Sequence, residues 1–404
     1  GGFDPKIEVD YDQKKFKGTE YYDRLNATFK IPTWYGVELK GSFEQNEGEY
    51  LNPENTVPLD GLYSAGVSVA VGQGMWINDR MATLKKAKYF RSQSKADRDL
   101  LVNQILYDAS LAYFDWLKAY KEALVYDSFL KNAKTRFKGV KSSAQAGEIA
   151  AIDTVEAKIT VQTRALGREQ ANVRLMKKSL ELSGFLWLND GIPLELQSNV
   201  VPDTDLEGEI DITFEILGKP LNDFTVDNHP KLKSLGYKID GLRVEKRLKA
   251  NRLLPKIQVE YNFLTETPEL MNSFETNQYK GGFSFQLPLF LRKERGDLKF
   301  KLQEAQYEMD NTQVQVKNQI LAVYNELESF ESQNVLINDI VYNYNTLLSA
   351  EERKFNFGES SLFLVNSRES KLIDAELKKI EVRNKYFIAK AKLFKSLAVV
   401  PENL

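Results

Sequence analysis

The chain has 404 residues, 55 Lys and Arg against 57 Asp and Glu, no Cys, a single His and a mean hydropathy of −0.42. Without Cys there is no disulfide framework, thiolate metal site or thiol nucleophile, and one His leaves no multi-histidine zinc site and weakens any serine-histidine-carboxylate triad. A net charge of −2 carries no broad basic field for nucleic acid. The longest uncharged stretch, Gly61 to Asn78, is broken by Gly66, Ser68, Gly72 and Gly74, whereas an inner-membrane helix needs about 20 mostly apolar residues. What survives is a soluble helical protein or a membrane β-barrel, whose strands are weak in hydropathy one by one.

Strands come first. Val37, Leu39, Gly41 and Phe43 alternate with Glu38, Lys40, Ser42 and Glu44, and Val67, Val69 and Val71 alternate with Ser68, Ala70 and Gly72. Period two with one apolar and one polar face fits a sheet on a soluble core as well as a barrel wall. Aromatics lie near the strand ends at Trp34, Tyr35, Tyr50, Tyr63 and Trp76. Asn46 to Gly61, with Gly48, Pro53 and Pro58, reads as an exposed hairpin loop.

Helices of unusual length follow. Ile105, Ala109, Ala112, Trp116, Ala119, Ala123, Tyr126, Leu130, Ala133 and Phe137 step by four and three, and Ile152, Ile159, Leu166, Val173, Leu180 and Trp187 recur at sevens. A hydrophobic period of 3.5 predicts coiled-coil packing along both. No proline falls between Pro58 and Pro193, so one helix is predicted from about Leu84 to Ala144, roughly 90 Å long at 1.5 Å per residue. The alanine-rich seam suits either tight antiparallel packing or helices side by side in a hollow cylinder.

Residues 189–226 read as a loop-rich connector with Pro193, Pro202, Pro220 and Gly218. Asp227 and Asn228 ahead of His229 and Pro230 open a helix predicted over 229–254, with His229 expected as a first-turn surface residue. Strands are predicted within 255–290, where Ile257, Val259, Tyr261 and Phe263 alternate with polar residues and Tyr279 and Phe290 stand near the ends. A helical hairpin over 297–399 closes the chain, with seams Val316 to Leu348 and Ile373 to Ala398.

The second half repeats the first. Pro5-Lys6-Ile7 recurs as Pro255-Lys256-Ile257, Tyr63 to Val69 as Tyr279 to Phe285, Asn103-Gln104-Ile105-Leu106 as Asn318-Gln319-Ile320-Leu321, and Arg136-Phe137 ahead of Gly147-Glu148 as Lys354-Phe355 ahead of Gly358-Glu359. Four matches in one order define a tandem repeat of roughly 200 residues. Its parts are 1–188 (strands about 5–76, helical hairpin about 78–188), the 189–226 connector, and 227–404. The segment from about Phe16 to Thr33 has no counterpart in the second half. By the same repeat, a helix matching 229–254 and a secretory signal are expected upstream of Pro5.

This order resembles the TolC-type outer-membrane efflux proteins over essentially the whole length. The residues that carry the resemblance are Asn228-His229-Pro230-Lys231-Leu232, similar to that family's helix opening, and Leu253-Leu254-Pro255-Lys256-Ile257. With them go Gly282 to Phe290 as a strand entering the long helix and Phe357 to Leu362 as a periplasmic hairpin turn. The resemblance implies an α+β membrane protein built of a duplicated β-hairpin and long α-helical hairpin. It implies a homotrimer, with four strands per chain closing a twelve-stranded barrel in outer-membrane lipid and the helices continuing it as an α-helical barrel across the periplasm. Such a tunnel is no enzyme and needs no cofactor or metal. Its expected partners are a periplasmic adaptor protein and an inner-membrane transporter of the RND, MFS or ABC kind, in a tripartite efflux or type I secretion system.

The resemblance also places sites. The hairpin tips Gly147, Glu148, Gly358, Glu359, Ser360 and Ser361 are expected to contact the adaptor. The family's two constriction aspartates fall on Leu364 and Ser367 in the second half and on Asp153 and Glu156 in the first, so Asp153, Glu156 and the nearby Arg368 and Glu369 are the expected constriction charges. Trp34, Tyr35, Tyr63, Trp76, Tyr279 and Phe290 are the expected membrane-interface aromatics. The competing reading is a periplasmic coiled-coil adaptor or surface scaffold, which has long helical hairpins but no need of duplicated two-faced strands.

Overall fold

The computed structural model describes residues 2–188, 191–203, 208, 226–267, 277–287 and 293–398. It divides into two compact units, Gly1–Ala96 with Leu232–Asn311 and Asp97–Lys231 with Thr312–Leu404.

The first unit holds an antiparallel sheet of six strands: β1 (Lys6–Phe16), β2 (Thr19–Pro32), β3 (Val37–Glu47), β4 (Leu62–Gly72), and, after two short strands of the second unit, β7 (Lys256–Thr265) and β8 (Tyr279–Gln286). Their spatial order is β1-β2-β3-β4-β7-β8. The expectation of four strands is thereby corrected to six. The extra pair is visible in the repeat itself: Pro255 follows Pro5 by 250 positions but Tyr279 follows Tyr63 by 216. With β1 answering β7 and β4 answering β8, the 34-residue difference is accounted for by β2 and β3. The unplaced segment 16–33 is therefore mostly strand β2.

The strands join β4 to β7 directly, Tyr63 opposite Thr265 through Gly72 opposite Lys256, so one sheet is shared by the two halves of the sequence. Asn78 starts the first long helix, α1 (Asp79–Gln145), by accepting a hydrogen bond from the Met81 amide at 2.9 Å, as an N-cap does. The Asn78 amide donates to the carbonyls of Trp34 and Gly74 at 3.1 and 3.3 Å, fixing the helix start to the β2–β3 turn. Beside it α3 (Pro230–Asn251) packs Val244 and Leu248 against Ile77, Ala82 and Tyr89.

In the second unit the part of α1 from Asp97 on is returned by α2 (Ala151–Ser183), β5 (Trp187–Leu188) pairs with β6 (Ile192–Pro193), and the part of α4 (Lys293–Asn356) from Thr312 on is returned by α5 (Leu362–Leu397). At 67 residues, α1 has an axis of about 100 Å. Phe387 of α5 is almost fully buried and stacks on Phe114 of α1 at 5.4 Å, with Tyr386 and Ala391 around it; burying each large apolar side chain contributes about 1.5–3 kcal/mol. Val341, Leu348, Val365 and Leu372 form a second cluster and Val316, Ile320, Val323 and Leu393 a third. The predicted seam of α4 is the one that forms most fully.

Within the single chain two expectations are not met. Ile152, Ile159, Leu166, Val173 and Leu180, read as a packing seam of α2, are 52–68 % exposed, and α2 instead buries Ala157, Ala171 and Leu182. A heptad stripe says which residues share a face, not what covers it. His229, expected at the surface, is buried, its Nδ1 accepting from the Lys231 amide at 3.2 Å.

Candidate functional site: the two-faced sheet and the hairpin tips

Directly opposed residues of antiparallel strands share a face, so the register defines both sides of the sheet. One row runs Ile7, Phe29, Gly41, Ala65, Phe263, Tyr279, and another Ile31, Leu39, Val67, Tyr261, Gly281. A third runs Val37, Val69, Val259, Phe283. In these rows the face is apolar or glycine; toward the loop end it turns polar at Gln13, Asp23, Gln45 and Glu47. The other face carries Lys6, Lys30, Lys40, Gly66, Asn262, Lys280 in one row and Glu38, Ser68, Glu260, Gly282 in the next.

The charged face is cross-linked. Lys30 pairs with Glu8, Arg24 with Asp12 at 3.3 Å, Lys280 with Glu44 at 3.1 Å, and Lys40 with Glu260 at 2.6 Å. Ser68 donates to Glu260 at 3.3 Å and Gln258 to both, at 2.8 Å to Ser68 and 3.0 Å to Glu260. Strand lengths of 11, 11 and 10 residues for β3, β4 and β7 match the roughly 9–11 residues with which a tilted strand crosses a bilayer, and β8, at 8 residues, is slightly shorter. Among the described residues no helix is long and apolar enough to do so.

Aromatics gather at both ends of the strands. Trp34, stacked on Phe3 at 5.3 Å, with Tyr35 in the β2–β3 turn and Trp76 before α1, marks the helix end. Tyr63, 4.8 Å from Phe43, Tyr279, stacked on Tyr261 at 5.1 Å, and the pair Tyr21 and Tyr50 at 4.8 Å stand toward the loop end. Phe290 lies outside the described residues.

The two hairpin tips are built alike. Gly147 and Gly358 have φ of 78° and 76°, the left-handed conformation that glycine adopts without strain. Each ends its helix with a pair of hydrogen bonds: Glu148 to Ser143 and Gly147 to Ala144 at one tip, Glu359 to Lys354 and Gly358 to Phe355 at the other, the Schellman arrangement. They differ at the next helix. Ser361 caps α5 by accepting from the Leu364 amide, whereas Ala150 at the start of α2 has no side-chain cap. Ser360 is drawn inward, donating to Glu351 at 2.5 Å.

The four expected constriction charges separate. Asp153 is in the first turn of α2, and Glu156 accepts from Asn366 of α5 at 3.0 Å. Arg368 lies 3.7 Å from Glu351 and is partly exposed. Glu369 is 1 % exposed, held between Arg136 of α1 at 3.1 Å and Arg164 of α2 at 3.4 Å. Glu369 is thus a buried ion-pair partner rather than an exposed charge. Arg136 also reaches Glu352 of α4 at 2.8 Å, and Arg164 donates to Ser370 at 2.9 Å. Glu369 Oε1, although close to Arg136, is not aligned for a hydrogen bond. Neither arginine is picked out by hydrophobic periodicity, but Arg136 does stand in the repeated Arg136-Phe137 and Lys354-Phe355 pair.

Residues 225–399 match the protein-family model described as outer membrane efflux protein, in keeping with the TolC-type resemblance of the sequence. The fold is similar to the CmeC outer membrane channel of Campylobacter jejuni, at 13 % identity and a TM-score of 0.63 over 98 % of this chain and 78 % of that one. It is also similar to VceC of Vibrio cholerae, at 11 % and 0.63 over 98 % and 86 %, and to the open state of MtrE of Neisseria gonorrhoeae, at 12 % and 0.61 over 98 % and 81 %. No curated protein sequence matches the chain.

Proposed function

We propose that three copies of this chain form an exit duct: a β-barrel in the outer membrane continued by a periplasmic helical tunnel, serving a tripartite efflux or type I secretion system. The observation that carries this reading is the sheet register, with an apolar face and a cross-linked charged face maintained over all six strands. A sheet packed on a soluble core has one such apolar side covered by helices; here Phe29, Leu39, Val71 and Val259 of the inner strands remain 41–49 % exposed, as side chains that face lipid must be. The charged side then lines water. The exposed α2 stripe supplies helix-to-helix contacts between copies.

In this reading the tips around Gly147 and Gly358 meet an adaptor protein that links the duct to an inner-membrane RND, MFS or ABC transporter. Asp153, Glu156 and Arg368 remain the proposed charges of the closed end. Trp34, Tyr35, Trp76, Tyr63 and Tyr279 sit at the two membrane interfaces. Membrane fractionation tests the reading: the protein should sediment with outer membranes, require detergent for extraction and run as an SDS-resistant trimer. A periplasmic adaptor or scaffold would be released by osmotic shock without detergent.

A further inference from the structure

Among the described residues the six-stranded sheet has two open edges, β1 of 11 residues and β8 of 8, each apolar on one face. Every residue of β1 and every residue of β8 is exposed, while the inner strands are mostly half-buried. An edge strand left open offers unpaired N–H and C=O groups along its length, and in a bilayer those groups have no water to satisfy them. Edges are commonly blunted by proline, a bulge or inward charge. In β1 the one register shift falls between Lys14 and Lys15, at the loop end, and leaves Lys6 to Gln13 regular.

We infer that β8 of one copy pairs with β1 of the next, so that the wall contains all six strands of each chain and a trimer closes as an eighteen-stranded barrel rather than a twelve-stranded one. This rests on the proposed channel function and goes beyond it by naming the seam between copies. Three observations point the same way. First, β1 and β2 continue the same two faces as the rest of the sheet: Val9 stands opposite Ala27 and Ala27 opposite Phe43 on the apolar side, Lys6 opposite Lys30 and Lys30 opposite Lys40 on the charged side. A hairpin outside the wall would have no reason to keep that alternation. Second, every neighbour in the sheet is antiparallel, and with an even number of strands β8 meets the next β1 antiparallel as well, the only arrangement found in bacterial single-chain barrels. Third, the side chains at the two edges match: Ile7, Val9 and Tyr11 on β1 and Tyr279, Phe283 and Phe285 on β8 lie on one face, so joining them makes the apolar belt continuous.

Six strands are too few to close on themselves, since the smallest barrels of this kind need about eight. Barrel diameter grows roughly in proportion to strand number, so eighteen strands give a lumen about half as wide again as twelve.

The chain's lack of cysteine allows a direct test. Val9→Cys is combined in turn with Gly281→Cys, Phe283→Cys and Phe285→Cys, three positions on the same face that sample the register, and each pair is oxidised in outer-membrane vesicles. At least one pair should give dimer and trimer bands on a non-reducing gel that collapse on reduction, with single-cysteine chains remaining monomeric. Leu39→Cys with Phe283→Cys should not cross-link, because β3 has β2 and β4 on its two sides. A conducting trimer in which no β1–β8 pair cross-links, or in which the Leu39 pair does, overturns the seam but leaves the channel reading standing. A chain that neither enters the membrane nor oligomerises overturns both. Electron cryomicroscopy of the unsubstituted oligomer counts the strands independently of any variant: eighteen are expected, and twelve would overturn the inference.

Discussion

Lys40 of β3 donates to Glu260 of β7 at 2.6 Å although β4 lies between their strands. The residue opposite Lys40 in β4 is Gly66, which has no side chain to block the lysine. This bond ties the sheet of the first repeat to that of the second, 220 positions apart in sequence. Lys40→Ala should lower stability by about 1.5–3 kcal/mol, as for a hydrogen bond to a charged group, with the partial exposure of both side chains favouring the lower end. Gly66→Ala should cost more, because a Cβ there would stand 2.2 Å from the Tyr261 carbonyl and the Asn262 side chain. Heat-modifiability on gels, comparing the temperature at which each barrel unfolds, ranks the two.

The apolar stripe of α2 predicts a separation of folding from assembly. Leu166 and Val173 are both about 60 % exposed in the single chain, so Leu166→Glu with Val173→Glu should leave helicity unchanged and convert the trimer to monomers. Circular dichroism and light scattering on the same sample read the two quantities. An intact trimer would show that the stripe faces water.

Glu369 predicts a large loss for a small change. Removing one member of a buried ion pair leaves the partner charge uncompensated, at a cost of about 3–5 kcal/mol, so Glu369→Ala should destabilise the helical unit far more than Arg368→Ala, whose ion pair is longer and more exposed. Urea unfolding followed by helicity checks this, and equal effects would contradict the burial argument.

His229, the only histidine, sets a pH dependence. Its pKa is pushed below the usual 6.5 by burial first and by the Lys231 charge second, with a hydrogen bond to the Ser396 backbone acting the other way. The unfolded chain therefore takes up this proton near 6.5 and the folded chain only at lower pH, so stability present above 6.5 is lost as pH falls from there to the folded value. Urea midpoints should fall between pH 7.5 and about 5, and that fall should be shallower in His229→Gln.

Much of this architecture was legible because its signals are local. Val37 to Glu44 and Ile257 to Phe263 alternate strictly, and long proline-free segments with 3.5-residue spacing become α1 and α4. Strand β2 alternates just as well, Leu25, Ala27, Phe29 and Ile31 against Arg24, Asn26, Thr28 and Lys30, but a repeat-based reading passes over a segment without a counterpart. The tips were legible from Gly-Glu. Burial was not: the α2 stripe has the periodicity of a seam yet faces outward, and the ion-paired Glu369 occupies an interior position that apolar spacing cannot identify. His229 follows an ordinary surface helix start yet is buried, with a hydrogen bond to the backbone of the distant Ser396.

The measurement that bears most directly on the proposed duct is single-channel recording in a planar bilayer with the detergent-extracted trimer. Discrete, long-lived conductance steps are expected, and their size should rise when Asp153 and Glu156 are both replaced by Ala. A purified trimer that inserts into the bilayer and passes no current, with or without those substitutions, would contradict it.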